Sequence, residues 1–208
     1  GSTPVSADVY RAAAARFWGH EKAWDLNSHE GKAMAATRII DRTYAKDSLL
    51  LCDSCWPLMF SNHTKDKKGD TTMEARIFNA VTGKNLDEKA LLKYGETIFN
   101  QQRAILLREG WDPKTDDTVA EFNFTDPVQT VFMNPEVLVP GEGDIVLSRK
   151  GQTLDREVFK KMRDEFYQLR GWNPETGCPT AKKLYELGLS DLDSVFHDPG
   201  GKQHFRNK

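Results

Sequence analysis

Apolar residues recur at helical spacing along most of this chain. An alanine-rich stretch over residues 5–18 is followed by Gly19, and a second stretch begins after Gly31. A third stretch covers residues 72–81 and is followed by Gly83. Because glycine readily adopts the left-handed conformation found at helix ends, we predict three helices bounded by these glycines. The second helix carries an apolar stripe formed by Ala33, Ala36, Thr37, Ile40, Tyr44 and Leu51.

Capping residues mark the start of a fourth helix. Asn85 is placed to cap it, and Glu88 follows three residues later, as in a capping box. Asp87 adds negative charge at the positive end of the helix dipole. Gly110 ends the apolar stripe, and Pro113 prevents the helix from continuing. The pattern therefore predicts a long helix between Asn85 and Gly110.

Two further helical patterns lie in the last third of the chain. One begins at Thr153 or Asp155 and ends at Gly171, and the other is capped by Thr180 and ends at Gly188. Threonine and aspartate are suited to these starts because their side chains accept hydrogen bonds from the first helical N–H groups. The apolar stripes together predict a core made of Ile40, Leu91, Ile98, Ile105, Phe159, Met162, Phe166 and Leu169.

A stretch of about thirty residues, 121–151, lacks a helical pattern although it is rich in apolar residues. Within it, the apolar runs 137–139 and 145–147 flank the turn residues Pro140-Gly141-Glu142-Gly143 and predict a small β-hairpin. A loop this apolar is usually functional or covered, and an arm packed over the domain's own core is an equally good interpretation. The predicted fold class is all-α, a multihelical array with one long irregular apolar segment.

Composition and charge exclude several classes of protein. The chain has 208 residues, 29% of them charged, with a net charge of −2, which gives no general attraction to nucleic acid or anionic membranes. No stretch reaches the roughly 18–20 apolar residues needed to span a bilayer. Three cysteines predict a reducing compartment, the cytoplasm, rather than a disulfide framework. We expect one domain over residues 1–208, with 1–3 an expression scar and 198–208 a disordered tail.

Asp47 is the first candidate for a functional residue, because its carboxylate lies in an unfavourable place on a predicted helix. It lies where the second helix should end, and a carboxylate is disfavoured at the negative end of a helix dipole. Lys46 is adjacent in sequence, but on a helix we expect it to point elsewhere. A ligand with paired N–H donors, such as the edge of a pterin or guanine ring, would suit this acceptor. An exposed aspartate at a fraying helix end is the simpler interpretation.

Cys52 and Cys55 form an isolated C-x-x-C pair. Asp47 and Asp53 flank the Cys52 thiol and disfavour its thiolate, so thiol redox catalysis is a poor interpretation. A cysteine that donates a single thiolate to an iron–sulfur cluster is compatible with these nearby carboxylates. A buried structural cysteine remains the default interpretation. A tetrahedral zinc site matches no common spacing, because it would need the set Cys52, Cys55, Cys178 and His63.

Three motifs, in order, resemble one known family. Residues 47–52 (DSLLLC) resemble a D-x-x-G-L-C element, and residues 107–111 (LREGW) are followed by the acidic pair Asp116-Asp117. Residues 165–180 (EFYQLRGWNPETGCPT) and 186–189 (ELGL) resemble the family's last motif. The chain is thereby identified as a member of the aldehyde:ferredoxin oxidoreductase family, similar to its C-terminal all-helical domain.

The resemblance implies a specific set of cofactor contacts. Enzymes of this family hold tungsten, or molybdenum, between two pterins beside a 4Fe–4S cluster. They oxidise aldehydes to carboxylates and pass the electrons singly to ferredoxin. By this resemblance Asp47 would hydrogen-bond a pterin ring, Leu51 would add a backbone contact, and Cys52 would be the fourth thiolate ligand of the cluster. The resemblance assigns no catalytic acid or base in this chain.

The sequence also departs from the family pattern. Leu50 stands where the family has glycine, and Cys55 is additional. The N-terminal pterin domain and the middle C-x-x-C-x-x-x-C domain are absent, so we expect a fragment of a larger enzyme. Alone, this fragment is expected to bind no tungsten, molybdenum or cluster and to be inactive. Its expected partners are those missing domains, ferredoxin and a small aldehyde, with a second copy of the chain as a further candidate.

Two alternatives to the redox-enzyme domain stay open. The first is a non-catalytic helical interaction module that keeps the family core, with Leu50 reflecting a lost pterin site. The second is an independent zinc or thiol-redox domain that uses Cys52 and Cys55. An upstream C-x-x-C-x-x-x-C domain in the reading frame would favour the enzyme, whereas a native start near Thr3 would favour the module.

Overall fold

The computed structural model describes residues 7–52, 63–66, 69–141 and 145–194. The chain is mainly helical, so the predicted all-α class is confirmed. The helices are α1 (Ala7–Arg16), α2 (Lys32–Ser48), α3 (Met73–Thr82), α4 (Glu88–Arg108), α5 (Pro113–Asp116), α6 (Phe122–Thr125), α7 (Arg156–Arg170) and α8 (Ala181–Glu186). Two 3-10 helices, Glu21–Trp24 and Ser190–Leu192, complete the helical set in the described part of the chain.

The predicted hairpin is present within the irregular segment. Strand β1 (Leu138–Pro140) pairs antiparallel with β2 (Val146–Ser148), and Val139 lies opposite Leu147. The N–H of Gly141 donates to the carbonyl oxygen of Ile145 at 2.7 Å, which continues the pairing beyond the strands. Residues 142–144, including Glu142 and Gly143 of the predicted turn, lie outside the described residues. No helix in the described ranges is both long and apolar enough to cross a membrane.

The starts of α4, α7 and α8 follow the capping logic, with one correction. Asp87, not Asn85, caps α4, because its backbone is extended and its carboxylate accepts a hydrogen bond from the Ala90 N–H at 2.7 Å. Asn85 lies two residues too early to reach these donors. At α7 the cap is Asp155, which accepts from the Val158 N–H at 2.9 Å. Thr180 caps α8 as predicted.

Helices α4 and α7 end in the same hydrogen-bonded turn. After α4 the N–H of Trp111 donates to Leu106 at 3.0 Å, and the N–H of Gly110 donates to Leu107 at 3.2 Å. After α7 the N–H groups of Trp172 and Gly171 make the equivalent bonds, at 2.8 and 3.0 Å. This pair of bonds is the Schellman motif, which places a left-handed residue at its centre.

The chain divides into two compact units, and each is described separately. The first comprises Gly1–Ala36 and Thr118–Phe166, and the second comprises Thr37–Asp117 and Tyr167–Lys208. In the first unit a small cluster of buried alanines is covered by Trp18 and Trp24; its members are Ala14, Ala23 and Ala35. The expectation of one domain over the whole chain stays a prediction.

The second unit contains two apolar clusters. Ala45 of α2, Ala75 of α3 and Leu91 of α4 form the first, with Leu49 and Phe78 packed against them. The other lies at α8 and the residues after it, and consists of Leu184, Leu187 and Leu189, with Leu192 against them. The first cluster packs the C-terminal part of α2 against α3 and α4.

The predicted core is only partly correct. Leu91 is buried, but Ile105 is 51% exposed and Leu169 is also exposed. The reason is that polar side chains hold several of the inward positions of α4 and α7; they are Asn100, Arg103 and Arg170. Each step along a helix turns the side chain by about 100°, so an inward Ala104 and Arg170 direct their neighbours Ile105 and Leu169 outward. The other predicted core residues are partly buried.

Candidate cofactor-contact site at the end of α2

Helix α2 ends in the same turn as α4 and α7, but with leucine at its centre. The N–H of Leu51 donates to the carbonyl oxygen of Lys46 at 3.1 Å, and the N–H of Leu50 donates to Asp47 at 3.0 Å. Leu50 is left-handed, with φ of 59°. This conformation costs a residue with a Cβ roughly 1–2 kcal/mol, and glycine escapes the penalty. The backbone therefore follows the path that glycine would favour at this position.

The Leu50 side chain makes few packing contacts that could offset this backbone strain. It is 92% exposed, so it makes almost no contact that would offset the left-handed backbone. A strained residue that the rest of the chain does not stabilise points to a role outside that chain's own packing. The strained position lies between Asp47 and Cys52, the two predicted contact residues.

Asp47 lies in the last turn of α2 and is exposed, but a cation accompanies it. The side chain of Asp47 is 65% exposed, whereas that of Lys46 is only 6% exposed. The Lys46 Nζ lies 3.5 Å from the Asp47 Oδ1. The expectation that Lys46 points elsewhere is therefore wrong, because its four-carbon stem is long and flexible enough to curve back. The favourable charge partly compensates the carboxylate's place at a helix C-terminus.

Leu51 and Cys52 follow the turn directly. Leu51 is half-buried, and its N–H is used in the bond to Lys46, so its carbonyl is the backbone polar group that remains. The side chain of Cys52 is exposed. Of the predicted site residues, Asp47 and Cys52 thus face solvent and Leu51 is half covered. Cys55 lies outside the described residues.

The described residues contain no group of three or more potential ligands that could hold a metal ion. Of the cysteines and histidine considered for zinc, Cys178 is half-buried with its Sγ 3.5 Å from the carbonyl oxygen of Thr176. His63 lies 3.0 Å from Asp70, measured between Nε2 and Oδ2. A metal at Cys52 would therefore take its other ligands from the undescribed residues or from outside this chain.

A buried ion pair with Arg170 of α7 anchors helix α2. Arg170 is fully buried, pairs with Asp41 of α2, and donates from Nη2 to the carbonyl oxygen of Thr37 at 3.1 Å. Burial raises the pKa of Asp41 above its usual value, although the charge of Arg170 acts in the opposite direction. The Arg170 guanidinium also lies over the face of the Phe99 ring, with Cζ 4.7 Å from the ring centre. The pair fixes the helix that carries the site.

Close backbone packing adds to this support. A Cβ at Gly95 of α4 would overlap the carbonyl oxygen of Asp41 and lie 3.0 Å from the backbone nitrogen of Ala45. Only glycine fits there, so α2 and α4 touch backbone to backbone. On the other side, Arg42 pairs with Glu74 of α3 at 2.7 Å, and both side chains are largely buried.

A second polar centre joins the ends of α4 and α7. The carboxylate of Asp117 accepts hydrogen bonds from Arg103 at 2.8 Å, from the Trp111 indole at 2.7 Å and from the Tyr167 hydroxyl. Burial alone would raise the pKa of Asp117, but these hydrogen bonds outweigh it and hold the pKa below its usual value. Trp172 donates to Asn100 at 2.8 Å in the same region.

Sequence reasoning missed Asp41, Arg170 and the inward direction of Lys46. A signal for Asp41 was available, since it lies four residues after Thr37 and four before Ala45, on the apolar face of α2. A charged residue at such a position needs a buried partner. The sequence pattern does not show which of the chain's 29 basic residues supplies it.

Comparisons with known proteins agree with the motifs. The family model described as aldehyde ferredoxin oxidoreductase, domains 2 & 3, matches residues 3–189. The tungsten-containing aldehyde ferredoxin oxidoreductase of Pyrococcus furiosus is 31% identical over 116 residues, which is 56% of this chain and 16% of that protein. The enzymes of the same description from Pyrococcus abyssi and Thermococcus kodakarensis are 31% and 30% identical over the same length, with the same coverage.

The matched segment thus represents a small part of these relatives, 16% of their length. The family model, in contrast, covers most of this chain. The resemblance drawn from residues 47–52, 107–111 and 165–189 is therefore confirmed at the level of the family. This chain belongs to the aldehyde ferredoxin oxidoreductase family.

Proposed function

We propose that this chain is the C-terminal helical part of an aldehyde-oxidising enzyme and that it contributes contacts to the cofactors. One observation carries the proposal. The turn after α2 leaves the side chains of Asp47 and Cys52 exposed, although the helix that bears them is firmly packed on its other side. A thiol and a carboxylate held outward by a rigid helix are suited to a ligand that lies outside the described chain.

The residues present fit a partial ligand set. A cysteine thiolate is the usual protein ligand of an iron–sulfur cluster, and it loses its proton when it binds. The Asp47 carboxylate is suited to paired N–H donors such as those on a pterin ring. The left-handed Leu50 keeps the turn on the path that the family's glycine would take, and its side chain extends into solvent.

Each of the three residues has a distinct task in this proposal. Cys52 supplies one thiolate to a 4Fe–4S cluster, Asp47 accepts N–H donors of a pterin, and Leu51 contributes its carbonyl. When bound, a tungsten or molybdenum bis-pterin supplies the two-electron oxidation of an aldehyde to a carboxylate, and the cluster passes single electrons to ferredoxin. The remaining ligands and the catalytic acid or base come from other domains of the same enzyme. We place the enzyme in the cytoplasm because an exposed ligand thiol requires a reducing compartment.

A specific observation favours a second candidate, a non-catalytic interaction module. Leu50 adds an exposed side chain, where the family has only a hydrogen atom, between two of the proposed contacts. If that side chain displaces the pterin, the helical framework would persist without cofactors. The family resemblance and the rigid framework are shared by both candidates, so they do not discriminate between them.

The decisive experiment is to produce the protein from its whole reading frame anaerobically, with tungstate and iron supplied. We expect tungsten, iron and an EPR signal from the reduced cluster, together with aldehyde-dependent reduction of ferredoxin. Cys52→Ala should remove the cluster signal, while Cys178→Ala, a matched change at a half-buried thiol, should retain it. A wild-type protein that is folded but free of tungsten and iron would favour the interaction module.

A further inference from the structure

Lys46 is a buried lysine that lies close to an exposed acid. Its side chain is buried, with 6% exposed, yet its Nζ lies 3.5 Å from the carboxylate of a residue that is 65% exposed. Its backbone carbonyl also accepts the N–H groups of Leu49 and Leu51, at 3.0 and 3.1 Å. The same residue therefore closes the turn after α2 and brings a positive charge beneath Asp47.

Two other cations in the described part of the chain that are largely buried show a different kind of pairing. Lys183 pairs with Glu96 at 2.9 Å, and Arg42 pairs with Glu74 at 2.7 Å; in both cases the acid is itself largely buried. These are internal ion pairs that hold elements together. Lys46, whatever its other contacts, approaches an acid that faces solvent, which places a buried charge next to an exposed acceptor.

The separation between the two groups also matters. A distance of 3.5 Å exceeds the usual hydrogen-bond length of about 2.7–3.2 Å, so the attraction is electrostatic rather than a tight hydrogen bond. The Asp47 oxygens thereby keep their capacity to accept hydrogen bonds from a ligand. At the same time the nearby charge favours one orientation of the carboxylate.

We propose that Lys46 is a positioning residue of the cofactor site, which orients the Asp47 carboxylate toward a pterin ring. The inference rests on the proposed function and extends it to a residue that does not itself touch the cofactor. Removing a partner that orients a metal-ligating group typically costs about 10- to 100-fold in affinity or activity, and we expect the same scale for a partner that orients a pterin acceptor. Lys46→Met keeps the length and the apolar stem of the side chain and removes only its charge.

The first test measures the pairing without any cofactor. In this chain labelled with 15N-lysine, the Nζ resonance of Lys46 should shift when Asp47 is changed to Asn. The Nζ resonance of Lys183 serves as an internal control and should not move. A Lys46 resonance that is the same in wild type and in Asp47→Asn would overturn the proposal, whether or not the intact enzyme binds a pterin.

The second test measures pterin release from the intact loaded enzyme. Lys46→Met should increase the release rate about 10- to 100-fold, and Lys46→Arg should restore most of the retention because it keeps the positive charge. In an Asp47→Asn background, Lys46→Met should have no further effect. Lys183→Met, which removes the charge of a different, largely buried lysine, should leave release unchanged.

The outcomes separate the two proposals. If Asp47→Asn releases the pterin faster but Lys46→Met does not, the positioning role fails and the proposed function stands. If Lys46→Met has the same effect with and without the Asp47 carboxylate, its role is structural and the inference fails. If Asp47→Asn retains the pterin as wild type does, the proposed contact of Asp47 fails, and the role of Lys46 fails with it.

Discussion

Leu50 holds the same place after α2 that Gly171 holds after α7. Both residues are left-handed, with φ of 59° and 67°, and both lie at the centre of the same pair of hydrogen bonds. Gly171 is the residue type that this left-handed turn favours, whereas Leu50 is a branched apolar residue that the turn disfavours. A comparison of the two positions therefore shows what a side chain at this turn costs in stability.

Leu50→Gly should therefore stabilise the chain. The leucine is almost fully exposed, so glycine loses no packing while it relieves the left-handed strain. Glycine also loses more backbone entropy on folding, which offsets part of the gain. We expect a net increase in the free energy of unfolding of about 1 kcal/mol, measured by urea denaturation.

Gly110→Ala is the matched control for this substitution. Gly110 is left-handed with φ of 97°, and a Cβ there would meet nothing within 4 Å. Alanine should therefore destabilise the chain by about 1 kcal/mol through backbone strain alone. If Leu50→Gly and Gly110→Ala change stability in the same direction, the strain argument is wrong.

Asp117→Asn should destabilise the second unit strongly. The change removes the charge that faces the buried Arg103 guanidinium and weakens the acceptor used by Trp111 and Tyr167. Breaking a buried pair by removing one charge costs about 3 kcal/mol or more. Asp116→Asn provides a neighbouring control, because Asp116 is exposed and serves the local turn at Asp112. Equal losses of unfolding free energy in the two variants would contradict the assigned role of Asp117.

The local parts of this fold were predictable because local chemistry decides them. Gly83 and Gly110 end helices, Thr180 caps one, and the runs flanking Pro140 and Gly141 pair as a hairpin. Each of these features depends on residues within a few positions of one another. The family motifs were readable for the same reason, since they consist of short runs.

Long-range polar pairing was not predictable. Arg170 and Asp41 are separated by 129 positions in the sequence. The apolar periodicity gives no indication that their side chains pair in the interior of the folded chain. The same pairing explains the wrong assignment of Leu169, whose place in the interior is taken by Arg170. At the candidate site the pattern identified Asp47 and Cys52 but not Lys46, because the path of a flexible side chain depends on its surroundings.

Asp70 should make stability dependent on acidic pH. Hydrogen bonds from Thr72, with His63 nearby, lower the pKa of Asp70 to about 2 in the folded chain, against about 3.9 for an unfolded aspartate. Between these values the unfolded chain binds more protons, so stability rises with pH. The contribution is present above about pH 4 and is lost as the pH falls through about 2.

Asp70→Asn tests this contribution directly. The variant should show a smaller fall in unfolding free energy between about pH 4 and pH 2.5 than wild type, as measured by urea denaturation at each pH. Asp126→Asn is a control at an exposed aspartate whose carboxylate accepts a hydrogen bond from Thr125. A wild-type curve and an Asp70→Asn curve that stay parallel over this range would contradict the assignment.

Gly95→Ala should disturb the end of α2 from a distance. In an exposed helix this change stabilises by up to about 1 kcal/mol, but here the added Cβ would overlap the carbonyl oxygen of Asp41. Since neither backbone can yield locally, we expect a loss of about 2–3 kcal/mol in unfolding free energy. The amide NMR signals of Asp47 and Cys52 should shift, because the helix that bears them must move.

Ala104→Gly, at a buried position of α4, is the control for helix propensity. A neutral or stabilising Gly95→Ala would show that α2 and α4 do not touch backbone to backbone.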